Sequence, residues 1–547
     1  MNSTRRTITA LATALLMGLH SIGVVAAATT PVETPRDPLW ERQWALSNSP
    51  GIGIDLLNAW SFSRGTGVVV AVVDSGVVPH SEFKDRVLPG YDFVSDPDVA
   101  GDGDGRDANP RDEGNFVDAD FLRRTGLDGQ CAESGSDWHG THVAGIIAAG
   151  IDRRGTVGVA PESKLLPVRV TGRCGGTERD LIDALRWAAG LAVSNAPINP
   201  NPAAVINLSL GAARPCSSRL QSVIDELSEL DVIVVAAAGN ENIDASSSTP
   251  ANCVGTLTVT ATGDLGQRAG YANFGYWVDL AAPGGEGSSS ILSTVDRGRS
   301  IPEGEGYGGL SGTSMAAPHV SGVIALARAI APKMSRVELI ELLMSSLEPF
   351  QSDPQTLGCS VQNICGLGFL NATRFLTALD ARVNPKIETD LPTSLQVGIE
   401  VPFGLTVGGE TTSITVVTDS ICEARDSVLL GLTRGVCILR VSLDGDGSST
   451  QASPRTSEVS VRIVGLSPEI LATAPKRMLV GARNRVTVTT ISTGTRTIRS
   501  KTPKVCSVSA NGKVRALRVG TCLVRIRTSA TSLYEGGNAT VSISVRQ

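Results

Sequence analysis

The sequence predicts an α/β domain, a parallel sheet with helices on both faces, followed by two small all-β modules. Three observations carry this prediction. Continuous apolar runs that stop at polar or glycine residues, Gly67 to Gly76, Ala203 to Gly211 and Val232 to Asn240, alternate with helical patterns such as Arg179 to Val193 and Arg219 to Leu230. Buried parallel strands joined by crossover helices read this way. In the C-terminal third the composition turns to Val, Thr, Ser and Gly in short alternating runs, the pattern of packed antiparallel sheets. That pattern occurs twice: Cys422, Leu432, Gly435 and Cys437 are echoed by Cys506, Leu517, Gly520 and Cys522.

Taken in order, the chain opens on Arg5 and Arg6, a mostly apolar run from Ile8 to Val25, and Ala26-Ala27-Ala28. A cleaved secretory signal peptide is built like this. A membrane anchor fits less well, because Thr13, His20 and Ser21 interrupt the run. The expected organisation is a signal peptide over 1–28, the α/β domain over 29–380, a linker and first β module over 381–465, and a second β module over 466–547. No later segment is apolar enough to anchor the chain, so a secreted, extracellular monomer is expected. Ten cysteines without paired C-x-x-C spacing suit disulfides in an oxidising compartment. Spacing alone leaves their connectivity open; local neighbourhoods lead us to expect Cys131 with Cys174, Cys216 with Cys253, Cys359 with Cys365, Cys422 with Cys437, and Cys506 with Cys522.

The residues that bear chemistry lie at the ends of the apolar runs. In Gly312-Thr313-Ser314-Met315-Ala316-Ala317-Pro318-His319 a serine precedes an Ala-rich helical stretch, Met315 to Arg328, so its hydroxyl lies at a helix N-terminus, where developing negative charge is stabilised. A serine needs a base and an orienting carboxylate to act as a nucleophile. Asp74 closes the first run and is a candidate carboxylate, although an Asp there also caps turns. His139, His142 and His319 are the candidate bases, and His139, at the open N-terminal edge of its helix, is the favoured one. His139 and His142 could pair on a metal, but no third ligand stands at matching spacing. Asn240 reads as a turn residue or as an oxyanion donor.

Asp74-Ser75-Gly76, the stretch His139 to Gly145 (His-Gly-Thr-His-Val-Ala-Gly) and the stretch Gly312 to His319 resemble, in that order, the three signature blocks of the subtilisin-like serine peptidases. The resemblance covers roughly 38–380. It implies a subtilisin-like fold and a secreted serine endopeptidase in which Asp74 orients His139, His139 is general base and then acid, Ser314 is the nucleophile, and Asn240 shares the oxyanion hole with the Ser314 N–H. It also implies that Ser209, Leu210 and Gly211 pair with the substrate backbone and that Ala237, Ala238 and Gly239 line the first specificity pocket, with a broad preference for apolar or large P1 residues. Two other readings stay open: a surface-binding protein with an inert peptidase domain, and an esterase using the same residues.

The stretch from Asp96 to Asp112 is dense in carboxylates, which suits either a solvated loop or a hard cation. The resemblance tips the expectation to structural Ca2+, with Asp96, Asp104, Asp107 and Asp112 as ligands. Both β modules, two repeats of about 80 residues, resemble bacterial immunoglobulin-like modules. From Leu466 onward 14 Lys and Arg stand against Glu469 and Glu535, a net +12, whereas the whole chain is −6, which leaves −18 on the first 465 residues. Such an excess suggests binding of 466–547 to an anionic cell-surface polymer and no specific nucleic-acid recognition.

Overall fold

The computed structural model describes residues 33–127, 129, 131–350, 359, 364–383, 387–407, 413–425, 427–443 and 455–547. The expected signal peptide lies outside these residues. The chain divides into two compact units, with the break after Leu376.

In the first unit, seven strands form one parallel sheet: β1 (Val69–Asp74), β2 (Tyr91–Asp92), β3 (Lys164–Arg169), β4 (Val205–Leu208), β5 (Ile233–Ala237), β6 (Thr256–Thr262) and β7 (Leu280–Pro283), in the order β2-β3-β1-β4-β5-β6-β7. The crossovers include helices α1 (His139–Ala148), α2 (Glu178–Ala188) and α3 (Ser218–Glu229), and α4 (Thr313–Ile330) follows the sheet. Alternation along β1 divides the core. Ala71 and Val73 face a cluster shared with Leu181, Leu185, Leu220 and Leu227 of α2 and α3. Val70 and Val72, equally buried, face the other side, where α1 and α4 pack. Thr177 and Ser217 start α2 and α3 by accepting the N–H groups of Asp180 and Leu220.

Strand order changes direction between β1 and β4, and the carboxyl ends flanking that point form the crevice where open α/β sheets hold ligands. The apolar runs overshoot their strands by one to three residues at each end, and at the carboxyl ends the polar residues that stop them turn out of the sheet to line this rim. The helix carrying Ser314 begins at Thr313, two residues before the expected start, which puts the serine inside the first turn.

The second unit opens on the end of a helix (Ala372–Val383) and from Ile387 on is all-β and built twice. Its first half packs a four-stranded sheet (Ser394–Gln396, Arg455–Val464, Gly435–Leu443, Ser413–Val416) with a three-stranded one (Glu400–Pro402, Val428–Gly431, Cys422–Arg425). The second half repeats both sheets in the same order (Arg477–Leu479, Gly537–Arg546, Gly520–Thr528, Arg496–Ser500; and Arg483–Arg485, Lys513–Ala516, Cys506–Val508). Each half encloses its own core, around Leu429, Leu439 and Ile463 in the first and Val514, Val524 and Ile543 in the second. All five expected disulfides are formed, Cys131–Cys174, Cys216–Cys253, Cys359–Cys365, Cys422–Cys437 and Cys506–Cys522. Among the described residues no helix is long and apolar enough to cross a membrane.

Candidate active site

Asp74 ends β1 almost wholly buried, and one carboxylate oxygen, Oδ1, accepts both the Ser75 N–H (2.7 Å) and the His139 Nδ1–H (2.8 Å). His139 is the first residue of α1. Its place depends on Trp138, held at φ 55 in the left-handed region with its indole N–H donated to the Gly298 carbonyl at 2.7 Å. Gly140 is required next: a Cβ there would stand 2.2 Å from the Gly76 carbonyl oxygen and 3.2 Å from the Asp74 Cβ. Burial alone would lower the His139 imidazole, but the charge and hydrogen bond of Asp74, with Asp137 and Asp112 behind them, outweigh it and raise the group from 6.5 to about 9.

The other two candidate bases are packing residues. His142 donates from Nε2 to the Ile291 and Gly308 carbonyls (3.0 and 3.2 Å), and burial pushes it down to about 3. His319 donates from Nδ1 to the Met315 carbonyl at 2.8 Å and is pushed down by burial to about 4.

Ser314, the second residue of α4, is 9% exposed, and its hydroxyl donates to the Ser209 carbonyl at 2.9 Å. Among the described residues no hydrogen bond joins it to His139. The Ser314 carbonyl is unusual for a helix interior. Pro318 stands four residues on and has no N–H to give it. Ser209 supplies the missing donor through its own hydroxyl at 2.7 Å; that hydroxyl accepts the Asn207 side-chain N–H at 2.8 Å, and the Asn207 oxygen accepts the Ser321 hydroxyl at 2.8 Å. This fully satisfied buried chain ties β4 to the first turn of α4. Asn240, just beyond β5, accepts the Thr313 N–H (2.9 Å) and hydroxyl (3.0 Å) on its Oδ1, so its Nδ2 end is turned away from Thr313.

Of the residues expected to meet substrate, Ala237 and Ala238 are buried, with Ala238 against Ala245 and Val278. Gly239, at φ 106, is half-buried, and a Cβ there would lie 2.3 Å from the Asn273 side chain. Leu210 and Gly211 line a groove with Gly175, Thr177 and Pro250.

The four expected metal ligands do not converge. Among the described residues no three His, Cys, Asp or Glu side chains form a group that could hold a metal ion. Asp96 caps a short helix by accepting the Asp98 N–H (2.9 Å), Asp107 accepts the Asn109 N–H (2.8 Å), and Asp104 is exposed. Asp112 leaves the loop altogether. Buried and raised by that burial to about 6, it accepts the Ser75 hydroxyl at 2.7 Å, while that hydroxyl accepts the Gly140 N–H at 3.0 Å. The loop's charge is met by arginines instead: fully buried Arg169 donates to Asp92 (2.7 Å) and Asp102 (2.9 Å), and Arg106 pairs with Asp180 and Asp183. These residues do not fit Ca2+, and no step is built on one. Sequence reasoning missed Ser75, Asn207, Thr313 and Ser321, of which only Ser75 and Thr313 stood inside a recognised motif, and it cast Asp112 as a metal ligand where the structure has it accept the Ser75 hydroxyl.

The fold and rim define a doubly wound parallel-sheet domain with an acid, an imidazole and a helix-terminal serine gathered at one edge. Residues 65–368 match the subtilase family, and the chain belongs to it. The chain is 40% identical over 350 residues, 63% of its own length and 57% of the relative's, to an extracellular protease of Xanthomonas campestris pv. campestris. It is 43% identical over 325 residues, 58% of its own length and 53% of the relative's, to an extracellular basic protease of Dichelobacter nodosus. It thus spans little more than half the length of these curated relatives. A solved protease structure from Pseudoalteromonas arctica superposes with a TM-score of 0.59 at 40% identity, covering 63% of this chain and 100% of that one.

Proposed function

We propose that this chain is an exported serine endopeptidase acting through Asp74, His139 and Ser314. The observation that carries the reading is the 2.8 Å bond from His139 Nδ1–H to Asp74, which fixes the tautomer and leaves Nε2 free to take a proton. In the resting site the Ser314 hydroxyl rests on the Ser209 carbonyl. A substrate added as a strand along Ser209, Leu210 and Gly211 presents its own N–H to that carbonyl, and the displaced hydroxyl rotates about χ1 toward His139.

Ser314 Oγ then bonds to the scissile carbonyl carbon as its proton passes to His139 Nε2. The carbonyl π electrons move to oxygen, where the Ser314 N–H and the Asn240 side-chain N–H receive the charge. His139 returns its proton to the leaving amine as the peptide C–N bond breaks, and water repeats the sequence on the acyl-serine to free the acid. The small side chains of Ala237, Ala238 and Gly239 suit a roomy apolar pocket for broad specificity.

Fluorophosphonate labelling of the secreted chain tests the reading. The parent is expected to be labelled and to hydrolyse casein, and Ser314→Ala to do neither. A folded parent that takes no label and leaves casein intact would instead favour a binding protein with an inert domain.

A further inference from the structure

The two β modules follow the same plan, so each position in one has a counterpart in the other, and the comparison separates what the fold needs from what it does not. In the three-stranded sheet of the second module, Arg483 lies directly opposite Arg515, and Arg485 opposite Lys513, around the central pair Asn484 and Val514. In the first module the same register sets Glu400 opposite Leu430 and Pro402 opposite Val428, around Val401 and Leu429. Val514 and Leu429 are both core residues, which fixes the correspondence. On the third strand Ser507, beside Arg515, takes the place that Glu423 holds beside Leu430. On this face the first module carries one cation, Arg425 opposite Val428, and it is paired with Glu423 of its own strand, whereas the second module carries four.

Those four side chains are exposed. Directly opposed residues of an antiparallel pair stand about 5 Å apart at Cβ, and like charges so placed oppose folding. Nothing nearby offsets them. Among the described residues none of the four forms an ion pair, and of the module's two carboxylates Glu535 already pairs with Arg434 at 3.4 Å. A sheet that keeps two uncompensated cation pairs, where its sister keeps none, holds a flat two-by-two array of positive charge facing solvent.

We infer that the outer face formed by Arg483, Arg485, Lys513 and Arg515 is a binding site for an acidic polysaccharide, a chain bearing an anionic group on successive sugars. The array matches a linear polyanion laid across the strands, with cations about 5 Å apart across the pair and about 7 Å apart along each strand. Tyr534 is the module's only aromatic residue, so it has no platform for stacking bases. The site would hold the enzyme on an anionic matrix while the first unit acts on protein. It does not depend on the catalytic reading, since binding requires no active serine.

The test uses the full secreted chain carrying Ser314→Ala, to prevent self-digestion, on immobilised sodium alginate with neutral dextran as reference. Retention at low salt that is lost as NaCl rises is expected. Replacing all four cations with Gln (R483Q, R485Q, K513Q, R515Q) should weaken binding at least about tenfold, while the equal-charge control (R496Q, K504Q, R518Q, R546Q) should change it less than about threefold. The face variant should melt no lower than its parent, since it loses only repulsion; if it melts lower, the pair R483Q, R515Q carries the comparison. No retention of the parent at low salt, or equal losses in the two variants, would overturn the site. A DNA duplex bound as tightly as alginate, and lost with the same four residues, would overturn the assignment to polysaccharide.

Discussion

Ser209→Ala isolates the link between β4 and the catalytic turn. Its hydroxyl donates to the Ser314 carbonyl at 2.7 Å and accepts from Asn207 at 2.8 Å, with Ser209 only 2% exposed. Removing it strands one buried acceptor and one buried donor, each at about 1–3 kcal/mol, so a loss of about 3 kcal/mol is expected, or a melting point lower by roughly 5–10 °C. The first turn of α4 carries both Ser314 and the Thr313 contact to Asn240, and on the proposed mechanism a shift there of even a fraction of an ångström misplaces nucleophile and oxyanion donors together. We expect kcat/KM to fall by about ten- to a hundredfold. Stability is best measured by denaturant titration in a Ser314→Ala background, and kinetics on a short chromogenic peptide. Pro318→Ala sharpens the test, because it restores a helix N–H able to donate to the Ser314 carbonyl. Ser209→Ala should then cost less, with a coupling of at least about 1 kcal/mol across the double-mutant cycle. If Ser209→Ala melts with its parent and keeps its kcat/KM, or if the two substitutions simply add, the carbonyl is not what Ser209 serves.

Three further outcomes follow from the same geometry. Because His139, the proposed base, must be neutral to accept a proton and Asp74 raises it to about 9, activity should climb with pH to a half-maximum well above 6.5 and fall away as pH drops; Asp74→Asn should move that midpoint down, since only the more distant charges of Asp137 and Asp112 then oppose burial, and cut kcat about 10⁴-fold in a pH–rate profile. Asn240→Ala should lower kcat about 10²–10³-fold with little change in KM, read by steady-state kinetics. Any melting shift produced by a chelator should be the same in Asp104→Asn as in the parent, since Asp104 stands exposed and in no cation-holding group; a shift abolished by that substitution would restore the loop as a metal site.

The parts of the site legible in the sequence were those where an apolar run breaks at a polar residue. Asp74, Ser209 and Asn240 follow buried strands, and such a break marks the rim of a parallel sheet whatever the intervening chain does. Ser314 and His139 were legible for a related reason, small residues opening a helix. Asn207 and Ser321 were not, because a polar residue within an apolar strand or helix gives no periodic signal, and their value lies in meeting each other across 114 residues. The acidic loop misled for the opposite reason. Counting its carboxylates drew attention to a cation, but the compensating charge was Arg169, which ends a strand whose middle, Leu165 to Val168, is wholly apolar, and that residue was itself the clue.

Asp112 shows how far the site extends beyond the groups proposed to touch substrate. Its carboxylate holds the Ser75 hydroxyl, which takes the N–H of Gly140, the residue after the imidazole, while the Ser75 N–H goes to Asp74. Carboxylate and imidazole are thus fastened to each other twice, once directly and once through a buried serine. On the opposite side Ser314 and Asn240 are fastened through Thr313, and Ser314 to β4 through Ser209. Within each half the bonds fix the members relative to one another, and the proposed mechanism adds one movement, rotation of the Ser314 hydroxyl from the Ser209 carbonyl toward His139. Electrostatic stabilisation requires donors set in advance and a nucleophile able to turn, and this division of rigidity provides both.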